Sequence, residues 1–338
     1  MTSPAGAGWL ARLRPDGYLM LIFGMVILAS FLPAGGEVRP ILDVAVKVGI
    51  GLVFFLHGAR LSREAVIAGA TQWRLHALVL ASTFLLFPVL ALSAAGLPAW
   101  ILPANLAPGV IFLGCLPSTI QSSIGFTAIA RGNVAATVAA ATASNLIGIF
   151  LTPVLAGLFL HRSGSGGIPL EGLQAILLQL LAPFLAGHLL RPWIGKFVGR
   201  HAKSLSRLDR GSILLVVYAA FSDAVTGGLW SRLGALDIAR LILVCSVLLA
   251  LVLGLTLAAA RAARLSTPDE ITLVFCGSKK SLASGVPMAG VLFPGDALGL
   301  VLLPVMVFHQ IQLMVVAVIA QRYGERPGAE GDASPATG

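Results

Sequence analysis

Cys115-Leu-Pro-Ser-Thr-Ile-Gln-Ser-Ser-Ile-Gly125 and Cys276-Gly-Ser-Lys-Lys-Ser-Leu-Ala-Ser-Gly285 decide how this chain is read. Each is polar, and each carries Pro or Gly where a helix would otherwise continue. Each also sits in the middle of a long apolar run. Non-helical backbone at mid-membrane depth is tolerated only where it is buried in protein or lines a cavity. The two stretches resemble each other: an offset of 161 residues lays Cys115 on Cys276 and Ser123 on Ser284. After a slip of two residues, Gly132-Asn133 falls on Gly295-Asp296.

The surroundings fit that depth. The 338 residues are 57% apolar and 11% charged, well short of the roughly 25% charge of a soluble domain. A soluble enzyme and a nucleic-acid-binding protein are both excluded on this ground. The net charge of +9 reads as basic loops on the cytoplasmic side. Cys115, Cys245 and Cys276 lie inside apolar runs and read as small core residues, not disulfide partners. The first apolar run carries no small-residue cleavage site, so it is expected to remain as a span. No metal-protease, P-loop, nucleophile-elbow or cysteine–histidine metal motif occurs, so no catalytic site and no cofactor are expected.

Outward from the two breaks, apolar runs fall at about 17–33, 41–60, 73–95, 105–130 (broken), 134–160, 171–190, 211–230, 239–260, 269–293 (broken) and 297–321. Each is close to the ~20 residues that a bilayer requires. The spacing predicts ten transmembrane helices. With the N-terminus inside, sixteen Arg and Lys residues fall in inner segments: Arg12, Arg14, Arg60, Arg63, Arg74, Arg131, Arg191, Lys196, Arg200, Lys203, Arg207, Arg210, Arg261, Arg264, Arg322 and Arg326. Only Arg39, Arg162, Arg232 and Arg240 fall outside. The bias places both termini in the cytoplasm, with the protein a multi-pass component of the cell (inner) membrane. The basic 191–210 loop also reads as a contact for anionic membrane lipid.

Five spans in each half force two similar halves into opposite orientations, which is a 5+5 inverted repeat. The expected organisation is one transmembrane unit over 1–323, its first repeat at about 17–160 and its second at about 171–321. A disordered cytoplasmic tail follows over 324–338. Two interrupted segments in matching positions point to a transporter's binding site.

The intramembrane polar residues supply the candidates. Ser118, Thr119, Gln121, Ser122 and Ser123 follow Pro117 and can coordinate a hard cation or hydrogen-bond a carboxylate or sulfonate. A second half-helix starting near Ser122 would favour an anion at its N-terminus. Thr137, Thr142, Ser144 and Asn145 line the next span, and Gln310 and Gln312 line its counterpart. Lys279 and Lys280, with Ser278 and Ser281 beside them, sit inside the ninth run. There they either cap the carbonyls freed where its first half-helix ends or present positive charge to an anion. Asp43 and Lys47 are spaced to pair on one helix face. Asp223 reads as lying near the outer interface. His57 and His309 read as packing residues or as proton relays.

Cys115-Leu-Pro-Ser, Ala130-Arg-Gly-Asn-Val-Ala135, Leu151-Thr-Pro153 and Cys276-Gly-Ser-Lys-Lys-Ser-Leu-Ala together resemble the bile acid:sodium symporter superfamily, in its bile-acid-symporter-like branch. The resemblance runs from about Tyr18 to Tyr323. It implies an all-α integral membrane fold with a panel of spans 1, 2, 6 and 7. Spans 3, 4, 5, 8, 9 and 10 would form the core, with the broken spans 4 and 9 crossing. It also implies a sodium site in which Ser123 and Thr137 match two hydroxyl ligands. This sequence departs from the pattern at several ligands. Ile124 and Ala141 replace two of them, Phe275 stands where coupled members carry a glutamate, and Lys279-Lys280 replace a glutamine–asparagine pair. A sodium ion beside two ammonium groups and no carboxylate would be repelled. On that charge argument a lysine ammonium is expected in the cation's place, with transport coupled to protons or to no ion.

The reading is a secondary transporter, not an enzyme, that moves a small organic anion by rocking core against panel. Its partners are that anion and membrane lipids, with no nucleic acid. Its expected site is Ser118, Thr119, Gln121, Ser122, Ser123, Thr137, Ser144, Asn145, Ser278, Lys279, Lys280, Ser281 and Gln310, with sodium at Ser123 and Thr137 or a coupling proton as the ion. The alternative is a membrane regulator of calcium homeostasis that does not transport, since distant relatives of the resembled branch are associated with that role. The sequence sets no oligomeric state.

Overall fold

A computed structural model describes residues 17–60, 72–162, 170–293, 295 and 297–326. Arg12, Arg14, Arg63, Asp296 and the tail beyond 326 lie outside the described residues. Every regular element among the described residues is helical. Leaving aside the short turns Ala104–Leu106 and Leu229–Arg232, the helices in chain order are α1 (Gly17–Phe31), α2 (Val38–Arg60), α3 (Trp73–Ala95), α4 (Ala107–Cys115), α5 (Gln121–Ile129) and α6 (Val134–Arg162). Next come α7 (Leu170–Arg200), α8 (Ala202–Thr226), α9 (Ala235–Ala262), α10 (Thr267–Gly277), α11 (Leu282–Leu292) and α12 (Ala297–Gly324). Helices α2, α3, α6, α9 and α12 are long and apolar enough to cross a membrane by length and composition.

The helices sort into two packed groups. In the first, α2 packs against α7 and α8, and α1 packs against α8. Glycines allow the closest approach: a Cβ on Gly58 would stand 2.0 Å from the Phe184 carbonyl oxygen, and one on Gly187 2.0 Å from that of Phe55. In lipid no hydrophobic effect drives helices together, so backbone-to-backbone fit of this kind carries the association. In the second group, α4 packs against α3, α6 and α12, while α10 packs against α9, α3, α5 and α6. The groups meet where α8 touches α12 and α11, where α7 touches α6, and where α2 and α7 touch α11. There Gly299 sits on Ala220 and Ala224, and Gly290 on Ile50 and Val216.

Local chemistry sets the two breaks. Helix α4 ends at Cys115 because Pro117 has no N–H and pushes the preceding Leu116 to extended backbone, at φ −70° and ψ 151°. The ninth run divides at Gly277, and Ser281 restarts it as the cap of α11, its Oγ accepting from the Ser284 N–H at 3.2 Å. The Ala130–Asn133 motif is a docking turn. Arg131 adopts φ 55°, and a Cβ on Gly132 would stand 2.6 Å from Ile271 Cγ2. Asn133 caps α6 through Oδ1, which accepts from the Ala136 N–H, and donates from Nδ2 to Asp269 at the start of α10.

One expectation is corrected. Asp43 pairs with Arg39 at 2.9 Å instead of Lys47. Arg39 also reaches Asp223 on α8 and the Ala219 carbonyl, so Asp223 belongs to an ion-pair group that ties α2 to α8. Gly324 closes α12, and Glu325 and Arg326 follow it. The Arg326 guanidinium donates to the Ala130 carbonyl at 2.7 Å and so pins the end of α12 to the docking turn.

Candidate functional site

The two breaks lie against each other and satisfy each other's backbone. The Ser281 N–H donates to the Pro117 carbonyl at 2.9 Å. Ser118 Oγ donates to the Cys276 carbonyl, Thr119 Oγ1 to that of Lys280 and Ser123 Oγ to that of Phe275, at 2.7, 3.0 and 3.2 Å. Helix α6 supports the first break from behind. Ser144 Oγ accepts from the Ser118 N–H at 3.0 Å, Asn145 Nδ2 donates to the Ser118 carbonyl at 2.6 Å, and Thr152 Oγ1 donates to that of Cys115 at 2.8 Å. Asn145 Oδ1 in turn accepts from Ser284 Oγ on α11 at 2.7 Å, so one amide ties both breaks. Helix α12 holds the second break with Gln312. Its Oε1 accepts from the Lys280 N–H and its Nε2 donates to the Lys280 carbonyl, both at 2.9 Å. His309 Nδ1 lies 2.8 Å from that Nε2. Buried backbone groups must find partners, and the serines and threonines of the motif supply them.

The two lysines part company. Lys280 turns away from its own run and reaches α3 and α4. Its Nζ donates to the carbonyls of Thr83, Gly114 and Leu116 at 2.8, 2.7 and 2.7 Å and stands 4.2 Å from the Phe87 ring centroid. The capping expected of the ninth run's own half-helix is therefore made across the crossing, on the fourth. Lys279 Nζ lies 4.1 Å from the Phe126 ring centroid, 5.8 Å from that of Phe275 and 3.5 Å from Ser122 Oγ. Both lysines are fully buried. Deeper on the Lys279 side, Thr137 Oγ1 sits within 3.1 Å of Thr127 Oγ1 and 3.0 Å of Thr272 Oγ1. Ser278 is spent on its own helix, its Oγ donating to the Val274 carbonyl.

A cavity of about 750 Å³ opens between the two helix groups. On one side the second helix group contributes Thr119, Gln121, Ser122, Phe126, Thr142, Asn145, Ser281, Ser284 and Gln310. On the other, α1, α2, α7 and α8 contribute Tyr18, His57, Phe184 and a charged mouth of Arg60, Asp209 and Arg210. Arg60 donates to Asp209 Oδ2 at 3.0 Å, and the Arg210 guanidinium lies 5.1 Å from the Tyr18 ring centroid. Buried Gln310 Oε1 has no hydrogen-bond partner. His57 Nδ1 is spent on the Val53 carbonyl of its own helix.

Of the sequence-predicted residues, Thr119, Gln121, Ser122, Asn145, Ser281 and Gln310 therefore face the cavity. Ser118, Ser123, Thr137, Ser144, Ser278, Lys279 and Lys280 stand behind it, within the crossing. Sequence reading counted Arg60 and Arg210 only as inner-segment charges and did not single out Asp209 or Thr83. The signal for Thr83 was Pro88, five residues on.

A family model described as the SBF-like CPA transporter family matches residues 16–325. The chain is 52% identical over 315 residues to the "Uncharacterized protein PA2026" of Pseudomonas aeruginosa, covering 93% of this chain and 95% of that one. It is 50% identical over 312 residues to the "Putative symporter YfeH" of Escherichia coli (strain K12), at 91% and 92% coverage. The sodium/bile acid cotransporter 7 of Rattus norvegicus is 24% identical over 327 residues, at 92% and 93%.

Proposed function

Since this chain belongs to the SBF-like CPA transporter family, we propose that it is a secondary transporter of a small organic anion. The observation that carries this reading is the cavity itself. Its walls come from two separately packed helix groups, and its floor is the polar crossing of two broken helices. The ten helical runs all cross the bilayer in this reading, with both termini on the cytoplasmic side of the inner membrane. Helices α1, α2, α7 and α8 form the panel and the rest the core of a 5+5 inverted repeat. Rocking of core against panel opens the cavity alternately to the two sides.

Chemistry favours an anion. The mouth carries Arg60 and Arg210 against one acid, Asp209, and Lys279 adds charge just behind the Ser122 wall. Thr119, Gln121, Ser122, Asn145, Ser281 and Gln310 are the substrate-contacting polar groups. Ser123 and Thr137 keep oxygen lone pairs for a cation although each is hydrogen-bonded to protein, but the Lys279 ammonium at the same crossing repels a sodium ion. Phe275 supplies no carboxylate. Coupling is therefore to a proton, or transport is uncoupled.

The test is reconstitution into liposomes with radiolabelled organic carboxylates and sulfonates. Saturable uptake with counterflow of one of them supports transport. Absence of counterflow across the whole panel, from protein shown to be folded, sinks the reading and leaves a regulator of ion homeostasis.

A further inference from the structure

The turn that receives Lys280 is built to leave a carbonyl free. Within α3, residues Ser82–Leu86 widen into a π-turn, and the Phe87 N–H donates to the Ser82 carbonyl instead of that of Thr83. The next donor in line for Thr83 belongs to residue 88, which is proline and has no N–H. The Thr83 carbonyl is thus orphaned in a fully buried position. Two more orphans come from the end of α4. Pro117 interrupts the ladder, and the Ser118 N–H, which would otherwise serve Gly114, is taken by Ser144 Oγ. Three carbonyl oxygens from two helices then converge, roofed by the Phe87 ring. A ring face and a set of backbone carbonyls attract a monovalent cation.

We infer that Thr83, Gly114, Leu116 and Phe87 form a monovalent-cation site that the protein fills permanently with the Lys280 ammonium, and that would take a free ammonium-type cation if the amine were removed. The hydrogen-bond arithmetic requires the charged form. Three acceptors around one nitrogen need three N–H donors, and a neutral amine has two and a lone pair that would face an oxygen. The site is distinct from the hydroxyl cluster at Ser123 and Thr137. It stands on the far side of the break from the cavity and does not depend on the chain being a transporter. Its role is to pin α3, α4 and the second break as one unit, which a metal ion would do only while bound.

The experiment is thermal unfolding of the purified full chain in detergent, in choline, ammonium, methylammonium and potassium chlorides at matched ionic strength. Wild type melts at one temperature in all four. Lys280→Ala melts roughly 5–10 °C lower in choline, having three unpaired carbonyls. Methylammonium, which restores the charge, the three N–H donors and one of the three lost carbons, raises it saturably, as a ligand of the folded state must. Choline has no N–H and cannot. Lys279→Ala gains no such response. If Lys280→Ala melts like wild type, or melts lower and answers to none of the three cations, the inference fails. A second measurement does not need that variant to fold. In Lys279→Ala labelled with ¹⁵N at the lysine side chains, the solvent-protected Lys280 nitrogen must give the signal of an NH₃⁺ group. A neutral amine signal overturns the inference.

Discussion

The Ser281 N–H donates to the Pro117 carbonyl at 2.9 Å, and through that bond each broken helix completes the other. The bond forces the neighbouring side chains together. A Cβ on Gly285 would stand 2.7 Å from Leu116 Cδ1, and Leu116 is fully buried. Gly285→Ala should therefore cost about 1–3 kcal/mol by overpacking, and Leu116→Ala about 2–5 kcal/mol by leaving a cavity. The double variant should lose less than the sum, because the new methyl enters the vacated space, with a coupling of roughly 0.5–3 kcal/mol. Denaturation in mild detergent measures all three. Strict additivity would mean that the two breaks do not share this contact.

Glycine identity should matter at Gly58 and Gly187 and not at Gly24. The first two meet backbone carbonyls at 2.0 Å from an added Cβ, so α2 and α7 would have to separate. Either change to Ala should cost at least about 3 kcal/mol. Gly24, in α1, has nothing within 4 Å, and Gly24→Ala should be neutral or stabilising by up to about 1 kcal/mol. Melting temperatures of the three variants give the order directly.

Much of this could be read from the chain. Pro117 and the polar residues after it announced the first break, because a missing N–H is a local and unavoidable fact. The helical runs followed from apolar length. What the sequence could not show was where long side chains reach. Lys280 could as well have capped its own half-helix, and the choice of α4 rests on the π-turn at Ser82–Leu86, which no residue pattern marks except Pro88. Asp43 had two basic residues within one turn, Arg39 and Lys47. Helix spacing allows either pairing, and the position of Asp223 on a helix far along the chain decided for Arg39. The panel side of the cavity was hidden for the same reason, since Arg60, Asp209 and Arg210 meet only through tertiary packing.

Sodium responsiveness should be recoverable in two substitutions. Phe275 is fully buried, and the Lys279 Nζ lies 5.8 Å from its ring centroid. Phe275→Glu alone places a carboxylate beside an ammonium, and the two neutralise each other with no vacancy for an ion. Phe275→Glu with Lys279→Gln leaves the carboxylate without a counter-charge among the hydroxyls of Ser122, Ser123 and Thr137. The double variant should be destabilised in choline or potassium and gain a saturable, sodium-specific rise in melting temperature. Wild type and the single Phe275→Glu variant should show none. A sodium response in wild type would mean that the hydroxyl cluster holds the ion despite the lysines.

Charge at the cavity mouth should act on substrate affinity and not on folding. Asp209 occupies the Arg60 guanidinium through Oδ2, while its buried Oδ1 has no hydrogen-bond partner. Asp209→Asn removes the one acid among the charged residues lining the cavity and releases Arg60 towards an incoming anion. Arg210→Gln does the reverse. Pairs in such partly exposed positions are worth roughly 0.2–1 kcal/mol, so the KM for an anionic substrate should fall up to about fivefold in Asp209→Asn and rise by a similar factor in Arg210→Gln. Both effects should shrink as salt is raised from about 0.01 M to 0.15 M, because the Debye length falls from about 30 Å to 8 Å. Uptake into proteoliposomes at the two salt concentrations separates steering from contact. A KM that moves equally at both would place the anion in direct contact with the substituted residue, and a KM that does not move would remove the mouth from the substrate's path.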